Sequence, residues 1–134
     1  MRLNVSATLR NLVLGVSAVL LLFVIAGYAA VFASIHGDVT DAGRSAMTRY
    51  PGDRVQALST LVDCQTCSLD ERNRAVWALG QLRDARALPT LMKYYTRQKC
   101  NHASDLCQHE LQKAVEAIQR EYPAWLGYRD LAIR

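Results

Sequence analysis

Apolar residues fall into two regimes along this chain. From Leu12 to Ile35 they run almost without interruption, LVLGVSAVLLLFVIAGYAAVFASI, and no charged residue occurs between positions 11 and 35. Beyond His36 they recur every three or four positions among polar residues, the spacing of amphipathic helices. The first regime is 24 residues long. As a helix it reaches about 36 Å, against a hydrocarbon core of about 30 Å. It predicts one transmembrane helix within residues 1–36. A cleavable signal is the competing reading, with Val31-Phe32-Ala33 before Ser34 as a plausible cleavage position. The run exceeds the usual signal core of about 7–15 residues, which favours an uncleaved signal-anchor.

Arg2, Arg10 and the amino terminus make the leading arm positive, whereas the far flank mixes Asp38, Asp41, Arg44 and Arg49. That bias predicts a cytoplasmic N-terminus and a periplasmic or otherwise extracytoplasmic C-terminal domain. Ala26, Ala30 and Ser34 recur every four residues, a spacing that admits close approach of another membrane helix and is also ordinary membrane-helix composition.

The second regime predicts helices throughout. Residues 37–52 form a linker that Val39, Ala42, Ala46 and Met47 could make helical, stopped by Pro51-Gly52. Val55, Leu58, Leu61 and Val62 line a first helix, and Ser68-Leu69-Asp70-Glu71 is a reciprocal capping box opening a second, with Ala75, Val76, Leu79 and Leu82 inward. Asp84 is expected to cap a third carrying Leu88, Leu91, Met92 and Tyr95, with Pro89 near its start. Ser104 is expected to cap a fourth, whose Cys107, Leu111, Ala114, Val115, Ile118 and Tyr122 share one stripe. No segment alternates with period 2, so the fold class is all-α. The helical domain occupies residues 53–121 and an aromatic tail residues 122–134.

Periodicity alone permits a compact bundle as well as a stack. The text from Asp70 to Leu91 shifts the balance toward a stack: Arg74, Ala78, Leu79, Gly80, Leu82, Asp84, Ala87, Leu88, Pro89 and Leu91 occupy an R-x-x-A-x-x-A-L-G-x-L helix, a turn and an A-[VL]-P-x-L helix. This text resembles the bacterial HEAT-like repeats. The resemblance implies a short HEAT-like stack of antiparallel helix pairs, two in residues 53–121, and a scaffold that binds other macromolecules without catalytic residues of its own. Physically, Ala75, Ala78 and Gly80 keep the helix surface low for close packing while Leu79 and Leu82 fill the space between layers. Two pairs fall short of the three or more repeats that usually bury a continuous core, so stability must also come from the membrane helix, the linker, the cysteines, the tail or a partner.

With 134 residues the chain has room for one small domain and its anchor, which excludes a multidomain enzyme. The net charge is +4, but the part beyond the apolar run holds fourteen Lys and Arg against twelve Asp and Glu, too even a balance for a nucleic-acid footprint. No nucleotide loop, zinc-protease motif, nucleophile elbow or paired-carboxylate constellation occurs, and His36, His102 and His109 are scattered. The chain is expected to be non-enzymatic, with no cofactor and no small-molecule substrate. Arg72, Arg74, Arg83, Arg86, Lys93, Arg97 and Lys99 read as a solvated face because Asp70, Glu71 and Asp84 interleave with them.

Cysteine carries the remaining chemistry. Cys64-Gln65-Thr66-Cys67 lies between the first two helices and Cys100 and Cys107 between the last two, on one edge of the stack if the repeats are real. Local disulfides, Cys64–Cys67 and Cys100–Cys107, lead, because an exported small domain needs staples. A zinc site using thiolates with His102 or His109, and a redox couple at the CxxC, are the alternatives. Cys64 and Cys107 extend apolar stripes and are expected to be more buried than Cys67 and Cys100. Trp77, Trp125 and Tyr128 are candidate partner contacts, the last two equally able to cap the stack. The sequence thus predicts an accessory or assembly subunit of a membrane complex, with a membrane-tethered thiol–disulfide protein as the rival.

Overall fold

The computed structural model describes residues 7–101 and 104–121. The order is α1 (Ala7–Arg49), α2 (Arg54–Asp63), α3 (Leu69–Leu82), a 3-10 turn (Ala85–Ala87), α4 (Leu88–Tyr94) and α5 (Gln108–Glu121). No strand occurs among the described residues. The chain divides into two units, Met1–Gly37 and Asp38–Arg134, with α1 continuing through the boundary.

In the first unit every described side chain is exposed. Leu22 is 65% and Phe23 73% accessible. A helix apolar all round its circumference leaves a continuous hydrocarbon surface that water does not tolerate and a bilayer does. This helix near the N-terminus is long and apolar enough to cross a membrane.

In the second unit the expected linker is part of the core. Val39 and Ala46 on the last turns of α1 are buried, and Ala42 and Tyr50 pack against the core cluster that Ala46 joins. α1 ends where Pro51 and Gly52 follow, Gly52 taking a φ of 114°. α2 then opens with a capping box that the sequence reading missed: Asp53 accepts from the Gln56 backbone N–H at 3.0 Å, and Gln56 Oε1 accepts from the Asp53 N–H at 3.2 Å. The box at Ser68 and Glu71 forms as expected.

Arg83 in the left-handed region, φ 52°, closes α3. Asp84 caps the 3-10 turn rather than a full helix, and α4 starts at Leu88, with Pro89 in the first turn where its missing N–H has no intrahelical partner to lose. The fourth expected helix starts later than Ser104. Ser104 lies in a turn closed by its N–H to the Asn101 carbonyl, and the Cys107 carbonyl accepts the Leu111 N–H at 3.0 Å, which places the helix start at Gln108.

α2 packs on α3, α3 on α5, and α4 on both α5 and α2, so α2 and α4 form one layer and α3 and α5 the other. Leu58, Val62, Val76, Leu79, Leu91, Leu111 and Ile118 are fully buried between them. Gly80 lies where α3 and α5 are closest: a Cβ built there would stand 2.8 Å from both the Cα and the Cβ of Ala114. Met47 and Met92, read as inward, are exposed. Tyr122 lies outside the described residues.

Candidate functional site

The two cysteine pairs lie on one edge, joined through Tyr94. Its hydroxyl donates to Asp63 Oδ1, at the end of α2, at 2.7 Å and accepts from Gln65 Nε2, in the α2–α3 turn, at 3.2 Å. Its carbonyl accepts Gln108 Nε2 at 3.0 Å, at the start of α5. Lys93 adds a 2.7 Å ion pair to Asp63. Burial pushes the Asp63 carboxyl up, but the Lys93 and Tyr94 donors outweigh it and hold the group below its ordinary value.

Cys64 and Cys67 form a disulfide, with Cα atoms 5.4 Å apart. Their thiolates are therefore not available to the zinc alternative. Cys67 packs against the core, with its sulfur 3.4 Å from the Tyr50 hydroxyl, so the expectation that Cys64 is the buried partner fails. Both are half-buried, because the chain leaves α2 at Asp63 and the stripe through Leu61 does not continue into the turn. The second expected bond is not formed: Cys100 and Cys107 are thiols with sulfurs 3.5 Å apart, and both are half-buried. Cys107 precedes α5 instead of extending its stripe, and its backbone N–H donates to Asn73 Oδ1 of α3 at 2.8 Å. The His109 backbone N–H donates to Cys100 Sγ at 3.3 Å. That bond first, with the Cys107 thiol second, holds the Cys100 thiol below its ordinary value.

Sequence reasoning missed a set of polar groups that fix this edge. Arg72, read as solvated, is 7% exposed; its Nε donates to the Val62 carbonyl at 2.9 Å, and its guanidinium lies 5.4 Å from the Tyr94 ring centroid. Gln108 is also buried, with Oε1 accepting the Thr96 N–H at 2.8 Å. A buried Arg on a text that alternates acids and bases gives no periodic signal; only its place one turn from Val76, on the α2 side, sets it apart. Elsewhere Arg86 bridges Asp84 and the α2 cap Asp53, and Arg49 pairs with Glu71 at 2.8 Å. These donors hold all three carboxyls below their ordinary values: Arg86 first for Asp84, the Gln56 backbone N–H first and then Arg86 for Asp53, and Arg49 first for Glu71.

Of the partner-contact candidates, Trp77 is half-buried against the core and borders a shallow depression with Gly80, Gln81, Glu110 and Lys113. Trp125, Tyr128 and His102 lie outside the described residues. Ala26, Ala30 and Ser34 are exposed on α1, and the Ser34 hydroxyl donates to the Ala30 carbonyl at 3.0 Å, which satisfies it without a second helix. A depression of about 460 Å³ in the second unit brings Asp38, Asp41, Glu71, Arg49 and Arg74 together. Its charges are mixed, and they form no nucleophile–base arrangement.

Comparison with curated proteins and with solved structures gives no match. A family model, the PBS lyase HEAT-like repeat, matches residues 71–96, which span most of α3, the 3-10 turn and α4. The cysteine turns flank the matched residues on either side. The second unit carries a HEAT-like repeat, the kind of helical scaffold that serves protein interaction and is generally non-catalytic.

Proposed function

We propose that this chain is a non-enzymatic single-pass membrane protein whose HEAT-like unit docks on protein partners as an accessory or assembly subunit of a membrane complex. The carrying observation is the presence in one chain of an exposed, membrane-length apolar helix and a HEAT-like repeat. The helix supplies anchorage and holds the unit near other membrane proteins, raising its effective concentration against them. Arg2 and Arg10 before the apolar run favour a cytoplasmic N-terminus, which exports the second unit to the periplasmic or extracytoplasmic side, where a disulfide such as Cys64–Cys67 persists. Trp77, together with Trp125 and Tyr128 of the tail, is the proposed contact set, and the Ala26, Ala30 and Ser34 face the proposed packing surface in the bilayer.

Alkaline carbonate extraction combined with a reporter fused after Arg134 tests the anchorage. The expected result is a chain retained in membranes with an exported reporter. Release into the soluble fraction, or a cytoplasmic reporter, would overturn the reading.

A further inference from the structure

The Cys100 and Cys107 thiols stand 3.5 Å apart beside an open depression of about 360 Å³. Arg97, Lys99, Cys100, Gln108, His109 and Gln112 border it, and none of the residues described as lining it is acidic. Cys100 lies on that border, whereas Cys107 is not among the residues described as lining it. Arg97 adopts a φ of 62°, unusual for a residue with a side chain, and its guanidinium rests 5.9 Å from the Tyr95 ring centroid. Arg97, Lys99 and Cys100 thus border the same depression. The α2–α3 turn offers no such couple, because Cys64 and Cys67 are already bonded.

We propose that Cys100 and Cys107 form a thiol–disulfide exchange site for a small disulfide bearing carboxylates, with Cys100 attacking and Cys107 resolving. The Cys100 thiolate bonds to one sulfur of the incoming disulfide, R–S–S–R, whose S–S bond breaks and expels the first R–S⁻. The Cys107 thiolate then bonds to the Cys100 sulfur, and the mixed disulfide releases the second R–S⁻. The protein loses two electrons and two protons, and the small disulfide becomes two thiols. The His109 N–H stabilises the attacking thiolate, and Arg97 and Lys99 attract the carboxylates. Asn73 fixes the Cys107 backbone, so the resolving sulfur stays within reach.

The test uses the full chain in detergent, treated with oxidised glutathione, quenched by alkylation and mapped by mass spectrometry. Wild type is expected to close Cys100–Cys107 and release two glutathiones, whereas Cys107→Ser retains one glutathione on Cys100. The pair Arg97→Gln and Lys99→Gln should slow closure by oxidised glutathione roughly tenfold, yet change closure by neutral hydroxyethyl disulfide less than about twofold. An adduct on Cys107 in preference to Cys100, failure of the wild type to close, or equal slowing with both disulfides would overturn the proposal.

Discussion

Gly80→Ala separates two effects of opposite sign. Alanine in a helix interior is favoured over glycine by about 1 kcal/mol, so local propensity alone predicts a gain. The structure predicts a loss. The new Cβ would stand 2.8 Å from the Cα and Cβ of Ala114, whereas ordinary van der Waals separation begins at 3.4 Å, so α5 must retreat by about 0.6 Å. No side-chain rotation relieves a clash with backbone, and Leu79, Leu111 and Ile118 are fully buried around it. Overpacking of this kind costs about 1–3 kcal/mol. The net expectation is a destabilisation of about 1 kcal/mol, which for a unit of this size lowers Tm by roughly 4–8 °C. Thermal unfolding of the detergent-solubilised chain, followed by far-ultraviolet circular dichroism, measures it. Adding Ala114→Gly to this variant should recover only part of the loss, because the backbone of residue 114 still crowds the new methyl group. Gly37→Ala, with open space around the new atom, should not lower Tm. A Tm that rises in Gly80→Ala would refute the claim that α3 and α5 meet through this glycine.

Gln108→Ala strips partners from the Thr96 N–H and from the Tyr94 and Leu106 carbonyls, and is expected to cost about 1–3 kcal/mol by urea titration. Arg72→Met keeps bulk but leaves the Val62 carbonyl unpaired, so a loss of about 1–2 kcal/mol is expected, and an unchanged midpoint would contradict the buried role. The carboxyls of Asp53, Glu71 and Asp84 are held below their ordinary values, so their contribution is present above the unfolded range near pH 4 and is lost as pH falls through the lower folded values. Tm should therefore decline on acidification below about pH 4 and do so less in Arg86→Gln; equal slopes in the two proteins would count against the Asp53–Arg86–Asp84 bridge.

The helices were legible because their signals are local. Unbroken apolarity marked the membrane-length segment, the box at Ser68 and Glu71 marked the start of α3, and the Leu111, Ala114, Val115 and Ile118 stripe marked α5. The errors arise where tertiary packing sets the outcome. Ser104 has the chemistry of a cap, yet α5 starts at Gln108, whose buried amide bonds to Thr96, Tyr94 and Leu106 across the loop. The linker became core because Ala46 joins, and Ala42 packs against, a cluster supplied by residues far along the chain. In the candidate site, cysteine spacing indicated local pairing, and the Cys64–Cys67 bond follows it. The relative burial of the four sulfurs did not, since each depends on where its helix ends. Arg72 shows the same limit: a buried guanidinium is recognised by the Val62 carbonyl it meets, and that meeting is invisible in the text around it.

The central claim, a membrane-anchored HEAT-like unit working within a larger assembly, is tested most directly by size. The chain at native abundance is extracted in a mild detergent and its mass measured by size-exclusion chromatography with light scattering. The account predicts a particle carrying other protein chains, heavier than one copy with its micelle. A well-folded, strictly monomeric chain under those conditions would contradict it.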